Sequence, residues 1–409
     1  MSQDWQFSKR AMAMKSSVIR ETLKITQKPG IISFGGGLPA PEIFPIDELK
    51  DATRKVLEDK GHNALQYSTT EGYRPLRELI AERMRNRGAD VSADEVMITG
   101  GSQQGLDMLG RVLLDEGDVV VCSKPTYLGA IQAFNAYFPK WITLVSDDDG
   151  MTVDGLDEIL DSHDNIKMIY TVPTFQNPDG RTIPLKRRKK ILELAAIHNV
   201  PVIDDDPYSE LVYEGTVPTS MKAISPEQVV MLGTFSKLLA PGLRIAWLIA
   251  PPDVYDRFVR MKQGADLHTN TFCQYVIYEF AKDGRLDAHI EKIKKLYSNR
   301  RNAMVEAMKQ YFPSEVKFTQ PNGGLFLWVE LPKELDTTAL LPAAVEKSVA
   351  YIPGAPFHPD GTGKNTMRLN YSKPTETEIE EGIKRLSELF KETLKSKRSL
   401  KVKDTPTCP

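Results

Sequence analysis

Between about residues 90 and 250 the chain alternates short, nearly all-apolar runs with longer segments whose apolar positions recur at helical spacing. The runs are Val96-Met-Ile-Thr99, Val119-Val-Val-Cys122, Met168-Ile-Tyr-Thr-Val172, Val200-Pro-Val-Ile203 and Val229-Val-Met-Leu232, each followed by Gly, Ser, Pro or Asp. Strands buried on both faces of a mainly parallel sheet have this character. Between them, segments such as Leu185 to His198 carry Ile191, Leu192, Leu194, Ala195 and Ala196. The alternation predicts an α/β domain with helices on both faces of its sheet. Residues 255 to 310 read as long helices, and their basic run of Lys292, Lys294, Lys295, Arg300 and Arg301 is expected on solvated faces. Val316 to Thr319, Gly324 to Glu330 and Thr366 to Tyr371 then read as antiparallel strands, followed by a helix near 375 to 395. The expected organisation is an N-terminal arm covering the substrate (1–45), a large α/β domain (46–295) and a smaller α+β domain (296–409). The tail from about 396 is expected to be disordered.

Composition changes this picture little. The 409 residues exceed one hydrophobic core, and 41% apolar with 26% charged content is that of an ordinary globular protein. A formal charge of −2 offers no electrostatic reason to expect nucleic acid or a membrane surface. Cys122, Cys273 and Cys408 are scattered, show no metal-ligand spacing and point to a reducing compartment. No apolar run resembles a signal peptide, and Ile245 to Ala250 is far too short to span a bilayer. A cytoplasmic location is expected.

Parallel α/β sheets place ligands beyond the carboxyl ends of their strands, so the residues after each run are the candidate site. They are Gly100-Gly-Ser-Gln103, Ser123-Lys-Pro-Thr-Tyr127, Pro173-Thr-Phe-Gln-Asn177-Pro-Asp-Gly180, Asp204-Asp-Asp-Pro-Tyr208 and Gly233-Thr-Phe-Ser-Lys237. A lysine desolvated near cations has a lowered pKa and becomes a nucleophile towards an aldehyde; Lys237 is the candidate, a surface lysine in a loop the plain alternative. Arg244, in Pro241-Gly-Leu-Arg244, offers a bidentate grip on a phosphate, with Thr234 and Ser236 hydroxyls beside it. Gly101, Ser102 and Gln103 open a helix, whose N-terminus suits the same anion. Asp205 and Tyr208 suit a protonated ring nitrogen and a phenolic oxygen, the latter shared with Asn177; an acidic metal site competes, but no matching histidine or carboxylate cluster is evident. Tyr127 is either a ring-stacking residue or core. Alternation along Met367-Arg-Leu-Asn-Tyr371 leaves Arg368 free to point inward, where it would hold a substrate carboxylate, or outward.

Together these residues resemble the fold-type I, class I/II aminotransferases that use pyridoxal 5′-phosphate (PLP). The resemblance is nearest to the 2-aminoadipate and kynurenine/2-aminoadipate branch. It runs from about Ser17 to Phe390 and also rests on Ile32-Ser-Phe-Gly-Gly-Gly-Leu-Pro-Ala-Pro-Glu-Ile-Phe-Pro45 and Leu65-Gln-Tyr-Ser-Thr-Thr-Glu-Gly72. It implies that Lys237 bonds the cofactor aldehyde and shuttles the proton. Asp205 would pair with the pyridine nitrogen, and Asn177 and Tyr208 would hold the phenolic oxygen. Ser102, Gln103, Thr234, Ser236 and Arg244 would bind phosphate, with Tyr127 stacked on the ring. It also implies a homodimer with shared sites, Tyr67 reaching the neighbouring subunit's phosphate, and substrates that are amino acids and 2-oxo acids, with 2-oxoglutarate as acceptor. Arg368 and the Gly37 backbone would clasp the substrate α-carboxylate, and Arg20 would meet a distal carboxylate or else be an exposed helix arginine.

Three rival readings use the same residues less well. A β-eliminating PLP lyase shares the fold. A PLP-sensing transcription regulator would need an N-terminal DNA-binding domain, and only about 30 residues precede Gly35-Gly36-Gly37. A dinucleotide-binding dehydrogenase would need Gly-x-Gly-x-x-Gly after its first strand, which is lacking.

Overall fold

The computed structural model describes residues 5–14, 30–216 and 218–403. Its strands in chain order are β1 (Ile32–Ser33), β2 (Val96–Thr99), β3 (Val119–Lys124), β4 (Lys140–Asp147), β5 (Gly150–Met151), β6 (Ile166–Thr171), β7 (Val202–Asp205), β8 (Val229–Thr234) and β9 (Ala246–Ile249). The later ones are β10 (Lys317–Phe318), β11 (Phe326–Glu330), β12 (Val349–Ala350), β13 (Ile352–Pro353) and β14 (Thr366–Asn370).

Eight strands form the main sheet in the order β2-β9-β8-β7-β6-β3-β4-β5. From β8 through β4 every pairing is parallel. Successive side chains of a strand go to opposite faces, and the core divides accordingly. Val120, Cys122, Met168 and Tyr170 join one buried cluster, while Val119, Val121 and Ile169 join another across the sheet. Because helices cover both faces, β8 is buried at every position, which explains why its sequence is a continuous apolar run rather than an alternation.

A smaller antiparallel sheet, β10-β11-β14-β13, lies in the C-terminal part. Here β14 is central, with Arg368 opposite Trp328 on one side and Ile352 on the other. The short strand β1 pairs in parallel with β12, tying the segment ahead of the large sheet to the C-terminal part.

Two strands lie outside the sequence reading, and two further features differ from it. Strand β9 runs antiparallel to both its neighbours; an all-apolar run carries no mark of its direction. Strand β4 is largely accessible, so it lacks the apolar signature of the central strands. Arg300 and Arg301 are buried rather than solvated. Arg300 donates to Ser372 O at 2.6 Å and pairs with Glu42, while Arg301 donates to Pro321 O at 3.0 Å and pairs with Glu214. A forked guanidinium can satisfy a carbonyl and a carboxylate together, and the helix Arg285–Tyr311 uses two of them to hold flanking loops. The last helix runs Glu376–Lys403, beyond both 395 and the expected onset of disorder near 396; Glu, Lys, Leu and Arg are strong helix formers.

Candidate active site

A cavity of about 190 Å³ opens beyond the carboxyl ends of the parallel strands, lined by Ser102, Gln103, Tyr127, Val172, Asn177, Asp205, Pro207, Tyr208, Thr234, Ser236, Lys237, Pro241 and Arg244. All five strand ends singled out by sequence contribute to it.

Lys237 leaves the end of β8 and enters this cavity. Its Nζ donates to Gly37 O at 2.6 Å. Burial, with the nearby Arg368 and Arg244 cations adding to it, pushes the ammonium down to about 8, which makes the free amine accessible near neutrality.

The three consecutive aspartates separate. Asp204 turns to the opposite side of β7, where its Oδ2 accepts the Met221 N–H at 2.9 Å. Asp206 pairs with Arg87 at 2.8 Å and accepts from Ser209. Only Asp205 lines the cavity. Burial pushes its carboxyl up to about 7; the Tyr170 hydroxyl, donating to Oδ2 at 2.7 Å, works against that rise, while Asp206 and Asp204 add to it. Among the described residues, no group of three or more His, Cys, Asp or Glu is placed to hold a metal ion.

At the other end of the cavity, Gly101 adopts a φ of +90° and caps the helix Ser102–Leu113. A Cβ there would lie 2.1 Å from Arg244 Nη2, so only glycine lets the guanidinium come this close. Ser102 Oγ is buried with no hydrogen-bond partner among the described residues. Thr234 Oγ1 accepts the Ser236 N–H at 3.0 Å, and Gln103 Nε2 donates to Gly129 O at 3.1 Å. Arg244 itself sits in the left-handed region (φ +54°) and, among the described residues, donates to the carbonyls of Pro241 and Gly100.

Arg368 points inward and is 1% exposed. Its partners are neutral: Nη1 donates to Asn177 Oδ1 and Nη2 to Gly35 O, both at 2.8 Å. Phe326 and Phe357 contact the guanidinium at 4.2 and 5.2 Å to their centroids. Burial pushes it down to about 10, still charged at neutral pH. Tyr208, itself buried, lies beside Asn177 and is pushed upward by burial.

Tyr67 is not in this cavity. It is 79% exposed, with its ring edge-on to His268 at 5.8 Å. Gly37 faces Lys237 through its carbonyl, and the backbone oxygen that meets Arg368 is that of Gly35. Arg20 lies outside the described residues. Residues not foreseen from sequence include Gly35, Tyr170, Phe326 and Phe357. Gly35 belongs to a triple glycine that offered no means of choosing among its members, Tyr170 reads as one more apolar strand position, and the phenylalanines come from separate strands and loops.

The family model described as aminotransferase class I and II matches residues 32–386. This chain belongs to that family. The aminotransferase is 47% identical to aromatic-amino-acid aminotransferase 1 of Thermococcus litoralis over 395 residues, covering 95% of each chain. It is similar to the crystal structure of a kynurenine aminotransferase of Pyrococcus horikoshii in complex with PMP, with a TM-score of 0.92, 46% identity, and coverage of 95% of this chain and 97% of that one. It also resembles an alpha-aminoadipate aminotransferase of Thermus thermophilus complexed with N-(5′-phosphopyridoxyl)-L-leucine (TM-score 0.88, 41% identity, 95% and 98% covered).

The cofactor of this aminotransferase is pyridoxal 5′-phosphate, and its cavity fits that group. The partnerless Ser102 Oγ, the helix N-terminus and Arg244, which no described carboxylate pairs, suit a phosphate. Asp205, a buried carboxylate with no described cation beside it, suits a protonated ring nitrogen. Among the described residues no helix is long and apolar enough to cross a membrane.

Proposed function

We propose that this aminotransferase moves the amino group of a 2-amino acid to 2-oxoglutarate, as a cytoplasmic homodimer with shared active sites. The donors are 2-aminoadipate-like or a broader set that includes aromatic and branched amino acids. One observation carries the reading: Arg368 is a buried guanidinium held by neutral acceptors, in the same site as a lysine of lowered pKa. A buried cation without an anion is costly, and a substrate α-carboxylate meets that need bidentately. The relatives, named for aromatic amino acids, kynurenine and alpha-aminoadipate, support a broad donor range.

When bound, PLP supplies an aldehyde to bond the amino nitrogen and a cationic ring to take up the electron pair left at Cα. Asp205 keeps that ring nitrogen protonated, held in orientation by Tyr170. Asn177 and Tyr208 hold the phenolic oxygen, Tyr127 covers the ring, and Ser102, Gln103, Thr234, Ser236 and Arg244 anchor the phosphate. Arg368 orients the substrate so that its Cα–H faces Lys237. The Lys237 amine then removes the proton at Cα, holds it, and would return it to the carbon on the far side of the amino nitrogen. Tyr67, exposed in one chain, completes the phosphate site of the other, and Arg20 meets the distal carboxylate of acidic donors.

The test is a donor panel with 2-oxoglutarate, read as kcat/KM, on the parent, Arg368→Lys and Arg20→Ala. Uniform loss across donors in the first and loss confined to acidic donors in the second are expected. Oxo-acid-independent release of ammonia and pyruvate from β-substituted donors would instead make the enzyme a lyase. Sedimentation showing an active monomer would remove the shared site.

A further inference from the structure

We infer that Gln104, backed by Lys262 and Asp266, is a positioning residue for the cofactor phosphate; the inference rests on the proposed reading of Ser102 and Arg244 as phosphate ligands. The chain leaves β2 at Thr99, turns through Gly100 and Gly101, and starts the helix Ser102–Leu113. A glycine pair has little intrinsic preference for one conformation, yet this turn sets where Ser102 and the helix N-terminus lie. Gln104 Oε1 accepts the Gly100 N–H at 2.7 Å, and its Nε2 donates to Asp266 Oδ2 at 2.7 Å. The Lys262 ammonium, fully buried, donates to both Asp266 oxygens at 2.6 and 2.7 Å and to Gln104 Oε1 at 3.3 Å. Both ends of the Gln104 amide are thus occupied, and its side chain is locked. On the other side of the same glycine, Gly100 O accepts from Arg244 Nη2 at 3.4 Å. The turn is gripped through its N–H by Gln104 and through its carbonyl by Arg244.

Lys262 is buried but Asp266 is about a third exposed, and an ion pair that reaches solvent adds little stability. What it adds here is direction. It fixes the Gln104 amide, which fixes Gly100, which holds Ser102 Oγ and the Arg244 guanidinium at one separation.

The test uses full-length enzyme loaded with pyridoxamine phosphate (PMP), which cannot bond Lys237 and so reports the non-covalent grip alone. PMP release is followed on dilution into excess PLP. Gln104→Ala is expected to speed release about tenfold, the equivalent of one hydrogen-bond contribution at the strong end of the usual range. Asp266→Ala acts in the same direction, and Asp266→Asn, which keeps an acceptor for Lys262 and Gln104, restores slow release. The melting temperature of Gln104→Ala should match that of Arg111→Ala, a change on the same helix, remote from the turn, that removes the Asp107 pair and the neighbouring Tyr137 contact. Unchanged release from Gln104→Ala, with faster release from Arg244→Lys, overturns the inference. Unchanged release from Arg244→Lys overturns instead the phosphate reading beneath it.

Discussion

Replacing Tyr170 by Phe removes one oxygen and leaves the ring packed against Phe134, whose centroid lies 5.7 Å away. It also removes the 2.7 Å hydrogen bond to Asp205 Oδ2, in a place where both residues are buried. A hydrogen bond to a charged acceptor contributes about 1.5–3 kcal/mol, which at 1.36 kcal/mol per unit is about one to two pKa units. The carboxyl, already pushed up to about 7 by burial, rises further. Its folded value lies above the unfolded one near 3.9. In the cofactor-free chain its contribution to stability is therefore present below about pH 4 and lost as the pH rises through about 7. A cationic ring reverses this by pairing with the ionised form. PMP affinity should therefore weaken as the pH falls through the Asp205 pKa, and this limb should lie about one to two units higher in Tyr170→Phe. At pH 7 the variant should bind PMP about five- to fiftyfold more weakly, the two converging as the pH rises. Equilibrium dialysis of PMP from pH 5 to 10 measures this. The phosphate and Lys237 titrate equally in both proteins and cancel in the comparison. A limb at the same pH in both would refute the reasoning.

Lys237→Ala should abolish turnover while still binding PLP, seen as a free-aldehyde spectrum; parental turnover would remove the assignment. Arg368→Lys should lower kcat/KM for 2-amino acids about 100-fold or more, as expected when a buried bidentate charge partner is lost, with PMP affinity unchanged; a large loss of PMP affinity would mean that Arg368 acts on the cofactor. Arg87→Met leaves Asp206 buried and unpaired, and should cost about 3–5 kcal/mol of stability, read as a lower melting temperature that recovers in part when Asp206→Asn is added.

What could be read from the sequence followed the chain locally. Each strand end is contiguous with its apolar run, so the sequence alone puts Lys237, Asp205, Asn177 and Ser102 on one rim. Contacts between distant segments could not. Arg368 was undecided because alternation says which residues share a face, not which face is buried; its central place between β11 and β13 decides it. Tyr170 passed for core because its hydroxyl acquires meaning only where β6 lies beside β7, with Thr171 opposite Asp204. Arg300 and Arg301 looked like solvent-facing charges because their partners, Ser372, Glu42, Pro321 and Glu214, come from four separate stretches.

The reversed strand β9 has a consequence for how the site can change. A parallel strand receives the chain at the rim remote from the ligand, and its incoming connection contributes nothing to the site. Because β9 is reversed, the chain leaving β8 at Thr234 re-enters the sheet opposite it at Ala246, without crossing a face. One short span therefore delivers both Lys237 and Arg244 to the same rim, the bonding group and the anion grip on a single leash. Inserting or deleting a residue between them would alter their spacing directly, with only the 3₁₀ turn Pro241–Leu243 to absorb the slip. Loops that carry only one site residue are free to vary in length; this one is bound to the size of the molecule it holds.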